Sequence, residues 1–161
     1  PKPFSYFTLT ANYSLIHNEA SYPYSEVKII QTGVTDRGRP IYEKVRIDSV
    51  YSGPMLNQPK QLANISLGFS YKTFDLWLSY QYIGDQWIGI GGQEEFDQTK
   101  IAFTLWGLQG KWSLPVDGLD LLFNVSNIND IQEKIVFKGD SRPNFLENYG
   151  WTSDFGFRYT F

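Results

Sequence analysis

The sequence has no cysteine, which excludes disulfide cross-links and thiolate metal sites. It has one histidine, His17, and no run approaching the ~18 consecutive apolar residues of a membrane-spanning helix. It also lacks a surplus of positive charge. The 14 Lys and Arg stand against 17 Asp and Glu, a formal charge of −3 with no basic stripe, so nucleic acid is not an expected partner. Position 1 is proline rather than methionine and no secretory signal begins there. The expected chain is a mature product or an internal piece of a longer one.

Aromatic residues are abundant: 11 Tyr, 12 Phe and 5 Trp, yet the mean hydropathy is only −0.33. Strands with one aromatic face and one wet face combine these two properties. From Trp151 the chain alternates strictly. Trp151, Ser153, Phe155, Phe157, Tyr159 and Phe161 share one face, and Thr152, Asp154, Gly156, Arg158 and Thr160 the other. Period-2 alternation marks a strand with one apolar side. The same test places strands near 4–18, 61–71, 74–83, 99–114, 119–127 and 150–161, with a bulge at Gly107 to absorb a change of parity in the fourth.

Between them lie short turns at 72–73 and 115–118, and long polar links at 19–59, 84–98 and 128–149. Within the first link, 26–34 and 41–51 read as a hairpin around Asp36–Pro40. Its charges (Glu26, Lys28, Glu43, Lys44, Arg46, Asp48) belong in water. Turns sorted by length onto opposite ends characterise outer-membrane barrels. The expected fold is all-β, an antiparallel transmembrane β-barrel segment of six long strands in three hairpins. Aromatics at strand ends (Tyr71, Phe74, Tyr82, Trp87, Trp112, Trp151, Phe161) are expected as interfacial girdles, with Phe161 at the periplasmic rim.

Several runs resemble the C-terminal end of a TonB-dependent outer-membrane receptor. Phe123-Asn124-Val125-Ser126-Asn127-Ile128-Asn129-Asp130 resembles the family's penultimate strand, and Glu147-Asn148-Tyr149-Gly150-Trp151 the approach to its final one. Asp154, Gly156, Tyr159 and Phe161 resemble the assembly signal of outer-membrane proteins. Pro59-Lys60-Gln61-Leu62-Ala63-Asn64 looks like the opening of a strand near the end of such barrels. The resemblance implies wall of a larger, roughly 22-stranded barrel in the outer membrane of a Gram-negative bacterium. It implies as partners outer-membrane lipid, the barrel-assembly machinery, the rest of the receptor with its plug domain, and TonB acting through that plug. Nothing in these residues resembles the plug itself.

Other motifs are weaker. Asn12-Tyr-Ser, Asn64-Ile-Ser and Asn124-Val-Ser match a glycosylation sequon but fall on polar strand faces. Gly89-Ile-Gly91-Gly92 lacks the Lys and Ser/Thr of a phosphate loop. His17 has no carboxylate or serine at motif spacing, and reads as a rim residue. Glu94, Glu95 and Asp97 form an acidic cluster that reads as a solvated loop rather than a cation site. No catalytic residue, metal or cofactor is expected.

The function implied by the resemblance is active import of a scarce ligand (an iron chelate, cobalamin, a glycan or a peptide), with the long links forming part of the mouth. Trp87, Glu94, Phe96, Arg142 and Asn144 are the candidate ligand contacts. The alternatives are a complete eight-stranded barrel, adhesin-like or structural, with 26–34 and 41–51 in the wall, and a soluble carbohydrate-binding sandwich.

Overall fold

The computed structural model describes residues 3–91 and 94–161. Pro1, and Gly92 of the glycine run, lie outside the described residues. The fold is all-β. A 3-10 turn (Pro3–Tyr6) leads into β1 (Phe7–Leu15), β2 (Ala20–Val34), β3 (Pro40–Gly53), β4 (Gln61–Tyr71), β5 (Phe74–Ile83) and β6 (Gln86–Gly89). A second 3-10 turn (Glu94–Phe96) precedes β7 (Gln98–Lys100), β8 (Phe103–Ser113), β9 (Leu119–Ser126), β10 (Gln132–Phe137), β11 (Asp140–Asn148) and β12 (Thr152–Tyr159).

Six strands form one antiparallel sheet in the order β1-β4-β5-β8-β9-β12, and it does not close on itself. Its register aligns like with like. Leu9 faces Leu67, Leu67 faces Leu78, Leu78 faces Leu108, Tyr80 faces Trp106, and Phe123 faces Phe155. Because side chains alternate across a strand, one face becomes a continuous apolar and aromatic field without a charged residue. The other carries Thr10, Asn12, Asn64, Ser66, Asp75, Gln109, Lys111, Asp120, Asn124, Asp154 and Arg158. No second layer covers the apolar face: Leu9 is 69% exposed and Phe155 and Phe157 are each 73% exposed. Phe103, 8% exposed, is the one buried apolar side chain among the described residues.

The parity change near Gly107 is not a bulge. β8 pairs with β5 and with β9 in unbroken register, so Trp106, Leu108 and Trp112 lie on the apolar face while Phe103 and Leu105 point to the polar side. At that end Leu62, Ile83 and Phe103 are aligned in register and make a small apolar floor. The Lys100 ammonium stands 5.2 Å from the Phe103 ring. β8 starts at Phe103 rather than 99 because Gln98–Lys100 pairs in a different sheet.

All three long links leave the same end of the sheet, and the turns at 72–73 and 114–118 close the other. The links are more regular than their composition suggests. β6 and β7, in the second, join β10 and β11, in the third, as a sheet in the order β11-β10-β7-β6. β2 and β3, in the first, form a separate ribbon. The stretches 84–98 and 128–149 are therefore largely strand rather than loop.

Two asparagines seam the sheet where β9 stops short of its neighbour. Asn129 takes the place of a strand beside β8: the Trp106 N–H donates to its Oδ1 (3.1 Å) and its Nδ2 donates to the Thr104 carbonyl (2.8 Å). Asn127, at φ 54°, donates to the Gly150 carbonyl (2.7 Å) and accepts from the Ile131 N–H (3.1 Å). Asparagine suits both places, since it tolerates left-handed backbone and its amide imitates a peptide group.

Candidate functional site

The long links converge on one cluster at the end of the sheet. Its centre is Trp87 on β6. The indole meets Tyr22 edge-on (centroids 5.7 Å apart, 85°) and Tyr51 at a tilt (5.4 Å, 46°). Tyr22 and Tyr51 are opposite each other on β2 and β3. Gly53 lies beneath the ring with no room for a Cβ. Trp87 thus fastens the β2–β3 ribbon to the loop sheet and is not part of a rim girdle.

The second fastening is Asp97, which is 1% exposed. Its carboxylate accepts from the Tyr51 hydroxyl (2.8 Å) and from the Gly91 N–H (3.0 Å), while its carbonyl accepts from the Lys138 N–H (2.9 Å). One buried residue thereby ties all three links together. The hydrogen bond to Asp97, helped by burial, holds the Tyr51 phenol above its usual pKa. The Lys138 ammonium pairs with Glu94, which raises the lysine's pKa. The acidic cluster expected as a solvated loop does not form: Glu94 is paired across to the third link and Asp97 is buried. Among the described residues no three His, Asp or Glu side chains gather in a metal-holding group.

The expected contact residues fall into two sets. Trp87, Glu94 and Phe96 lie around the Tyr51–Asp97 pair, the pin of the three links, with Phe96 edge-on to Phe137 (6.1 Å, 90°). Arg142 and Asn144 lie on β11, at the opposite edge of the loop sheet, where Arg142 pairs with Asp140 (2.8 Å). Tyr22, Tyr51, Asp97 and Lys138 complete the first set, and of these only Asp97, in the acidic run, stands in a local pattern. A cavity of about 220 Å³ opens beside the pin, lined by Tyr51, Lys60, Asp85, Trp87, Thr99 and Lys138 among others. Indole, phenol, ammonium and carboxylate round a small opening are groups for recognition of a polar ligand. His17 is exposed just beyond β1.

At the other end, Tyr71, Phe74 and Trp112 stand side by side in register on the apolar face. Of the residues resembling an assembly signal, Asp154 and Gly156 point to the polar face. Tyr159 and Phe161 stack edge-on (5.1 Å, 89°) at the short-turn end. No family model matches the chain, and no curated protein or solved structure matches it.

Proposed function

We propose that this chain is wall and mouth of an outer-membrane active-transport receptor of the TonB-dependent kind. The observation that carries the reading is the uncovered, charge-free apolar face of the six-stranded sheet. Water would leave so large an apolar patch unsatisfied, and lipid is a solvent that fits it. Wall strands of 8 to 11 residues approach the ~9–11 that a tilted strand needs to cross a bilayer. The gathering of every long link at one end supplies a mouth on one side of the membrane only. In this reading the rest of the receptor completes the wall and supplies the plug, TonB delivers energy through that plug, and the barrel-assembly machinery inserts the whole.

The eight-stranded alternative is less well supported. It needs β2 and β3 inside the wall, whereas β1 pairs directly with β4 over nine residues and β2 pairs only with β3. Six strands also fall short of the ~8 of the smallest closed barrels. A soluble sandwich needs a second sheet over the apolar face, and the loop sheet lies at the end of the first instead.

The test is location and topology of the native full-length protein. Recovery in the outer membrane, with trypsin cutting after Arg37 on intact cells, is the expected result. A protein that stays monodisperse in water without detergent, or an Arg37 turn reached only after the outer membrane is opened, overturns the reading.

A further inference from the structure

We infer that two polar ties, one at each end of β12, choose the register of this closing strand on β9, a choice that its aromatic face cannot make. A tight turn fixes the register of the strands it joins. The turns at 72–73 and 114–118 do so for β4–β5 and β8–β9. The pairs β1–β4, β5–β8 and β9–β12 are joined only through the long links, which fix no register. Each of these three pairs carries complementary polar side chains directly opposite one another: Asn12 with Asn64 (3.0 Å), Asp75 with Lys111 (3.3 Å), and Asp120 with Arg158 (2.6 Å). The last two are the sheet's only ion pairs among the described residues.

A slip of β12 by one residue would turn Phe155 and Phe157 to the polar face, so alternation forbids it. A slip of two residues keeps every face. Phe155, opposite Phe123, would then meet Leu121 or Val125, and Phe157, opposite Leu121, would meet Leu119 or Phe123. Apolar still meets apolar, and the backbone ladder is as regular as before. The strength of the ladder and the choice of register are therefore separate properties. The ties are not indifferent. A slip would carry Arg158 from Asp120 to Leu122 or Gly118. Asp120 is held ready for its partner: the Ser113 hydroxyl donates to Oδ1 (2.6 Å), and Arg158 donates to Oδ2 through Nε (3.2 Å) and Nη2 (2.6 Å). At the other end Asn127 Nδ2 donates to the Gly150 carbonyl (2.7 Å), and a slip would draw that carbonyl about 7 Å away.

The consequence rests on the reading of the sheet as barrel wall, in which the outer edge of β12 meets another strand of the parent barrel. A two-residue slip would move that edge about 7 Å along the wall and alter the stagger at which the barrel closes.

The chain has no cysteine, so introduced thiols report the register. In the purified full-length protein, with any cysteine outside this chain replaced by serine, Phe155→Cys is combined in turn with Phe123→Cys, Leu121→Cys and Val125→Cys. Disulfide-linked peptides are then quantified by mass spectrometry. Opposed Cα atoms, ~4.5–5.5 Å apart, fall within the ~4.4–6.8 Å that a disulfide spans, and atoms two residues out of register, roughly 8 Å apart, do not. Closure should be confined to the Phe123→Cys combination. Arg158→Asp sets two carboxylates against each other, and Asn127→Gly removes the second tie while keeping the left-handed backbone (φ 54°). With both changes a slipped combination should close at least tenfold more. Adding Asp120→Arg restores the ion pair with its sense reversed and should return closure to the Phe123→Cys combination. Closure that stays there without the ties overturns the inference, as does slipping that Asp120→Arg fails to reverse. If the loosened protein does not fold, Arg158→Ala decides alone: a threefold rise in slipped closure is expected, and no rise overturns the inference. The readout needs no membrane, so failure of the receptor reading, seen in membrane location and Arg37 accessibility, would remove only the consequence for closure.

Discussion

On the proposed reading the six-stranded sheet is wall and the links at its end are mouth; both are made of antiparallel strands, but different interactions hold them. In the wall β4 and β5 share ten consecutive pairs without a shift. In the mouth β6 and β7 share three pairs with a shift, and β10 and β11 six with two shifts. Long, even ladders leave little for any one side chain to decide, so the wall depends on its faces meeting the right solvents. Short, broken ladders, and a long β2–β3 ribbon that pairs with no other strand, cannot fix three links relative to one another, so the mouth depends on a few side chains, Trp87 and Asp97 above all. Damage should therefore be general in the wall and local in the mouth.

The largest effect is expected from charge on the apolar face. Leu67 and Ser66 are neighbours on β4 that point to opposite faces, each near the middle of the wall. If the sheet is membrane wall as proposed, Leu67→Arg in the full-length protein folded into bilayers should cost about 2–4 kcal/mol, the penalty of a cation at mid-membrane depth, and Ser66→Arg far less. Denaturant titration measures both. Equal costs would break the assignment of faces and with it the contrast between wall and mouth.

A smaller and more confined effect is expected at Asp97. Removing its carboxylate strands the Tyr51 hydroxyl and the Gly91 N–H, a loss of about 1–3 kcal/mol. Asp97→Ala should speed hydrogen exchange in β2, β3, β6 and β7 while β4 and β5 keep their protection. Loss of protection in the wall as well would show that the two regions are one cooperative unit. Asn129→Ala is expected to cost about 1 kcal/mol, because the Trp106 and Thr104 backbone groups it serves can turn to water. Faster exchange confined to the mouth end of β8 is its signature.

The same contrast decides what the sequence makes legible. Wall strands show period two because lipid and water would impose opposite chemistry on their faces, and β4 and β5 occupy the very spans 61–71 and 74–83 read from it. The reading slipped at Gly107 because Phe103 and Leu105 are apolar on the polar side. They belong to the floor beneath the mouth, where neither solvent rule applies. In the links, strands of three to six residues such as β6, β7 and β10 are too short for a period, and their side chains are half in water on either face. Trp87, Glu94 and Phe96 could be picked out as aromatic and charged link residues. Their partners could not, since Tyr51 and Asp97 meet across 46 residues with no local spacing to announce it. Arg142 and Asn144 have the same composition cues, and the β10–β11 hairpin carries them to the far edge.

The smallest expected effect separates the buried pin from the exposed surface of the same mouth. Two phenols should titrate late. The hydrogen bond to Asp97 raises Tyr51, and that to Glu147 pushes Tyr149 up to about 12. A raised phenol pKa means that the folded state holds the proton more tightly than the unfolded one. The stabilisation is complete below the unfolded value of ~10 and is lost as pH climbs through the folded value. Tyrosinate absorbance of the folded protein should show two late steps, one removed by Tyr51→Phe and the other by Tyr149→Phe. Only the Tyr51 step should coincide with faster exchange in β2 and β3, because Tyr149 joins no other link while Tyr51 joins the ribbon to Asp97. If Tyr51 ionises with the bulk of the tyrosines, its bond to Asp97 is not what holds the β2–β3 ribbon in place, and the packing of Tyr22 and Tyr51 against Trp87 must do so.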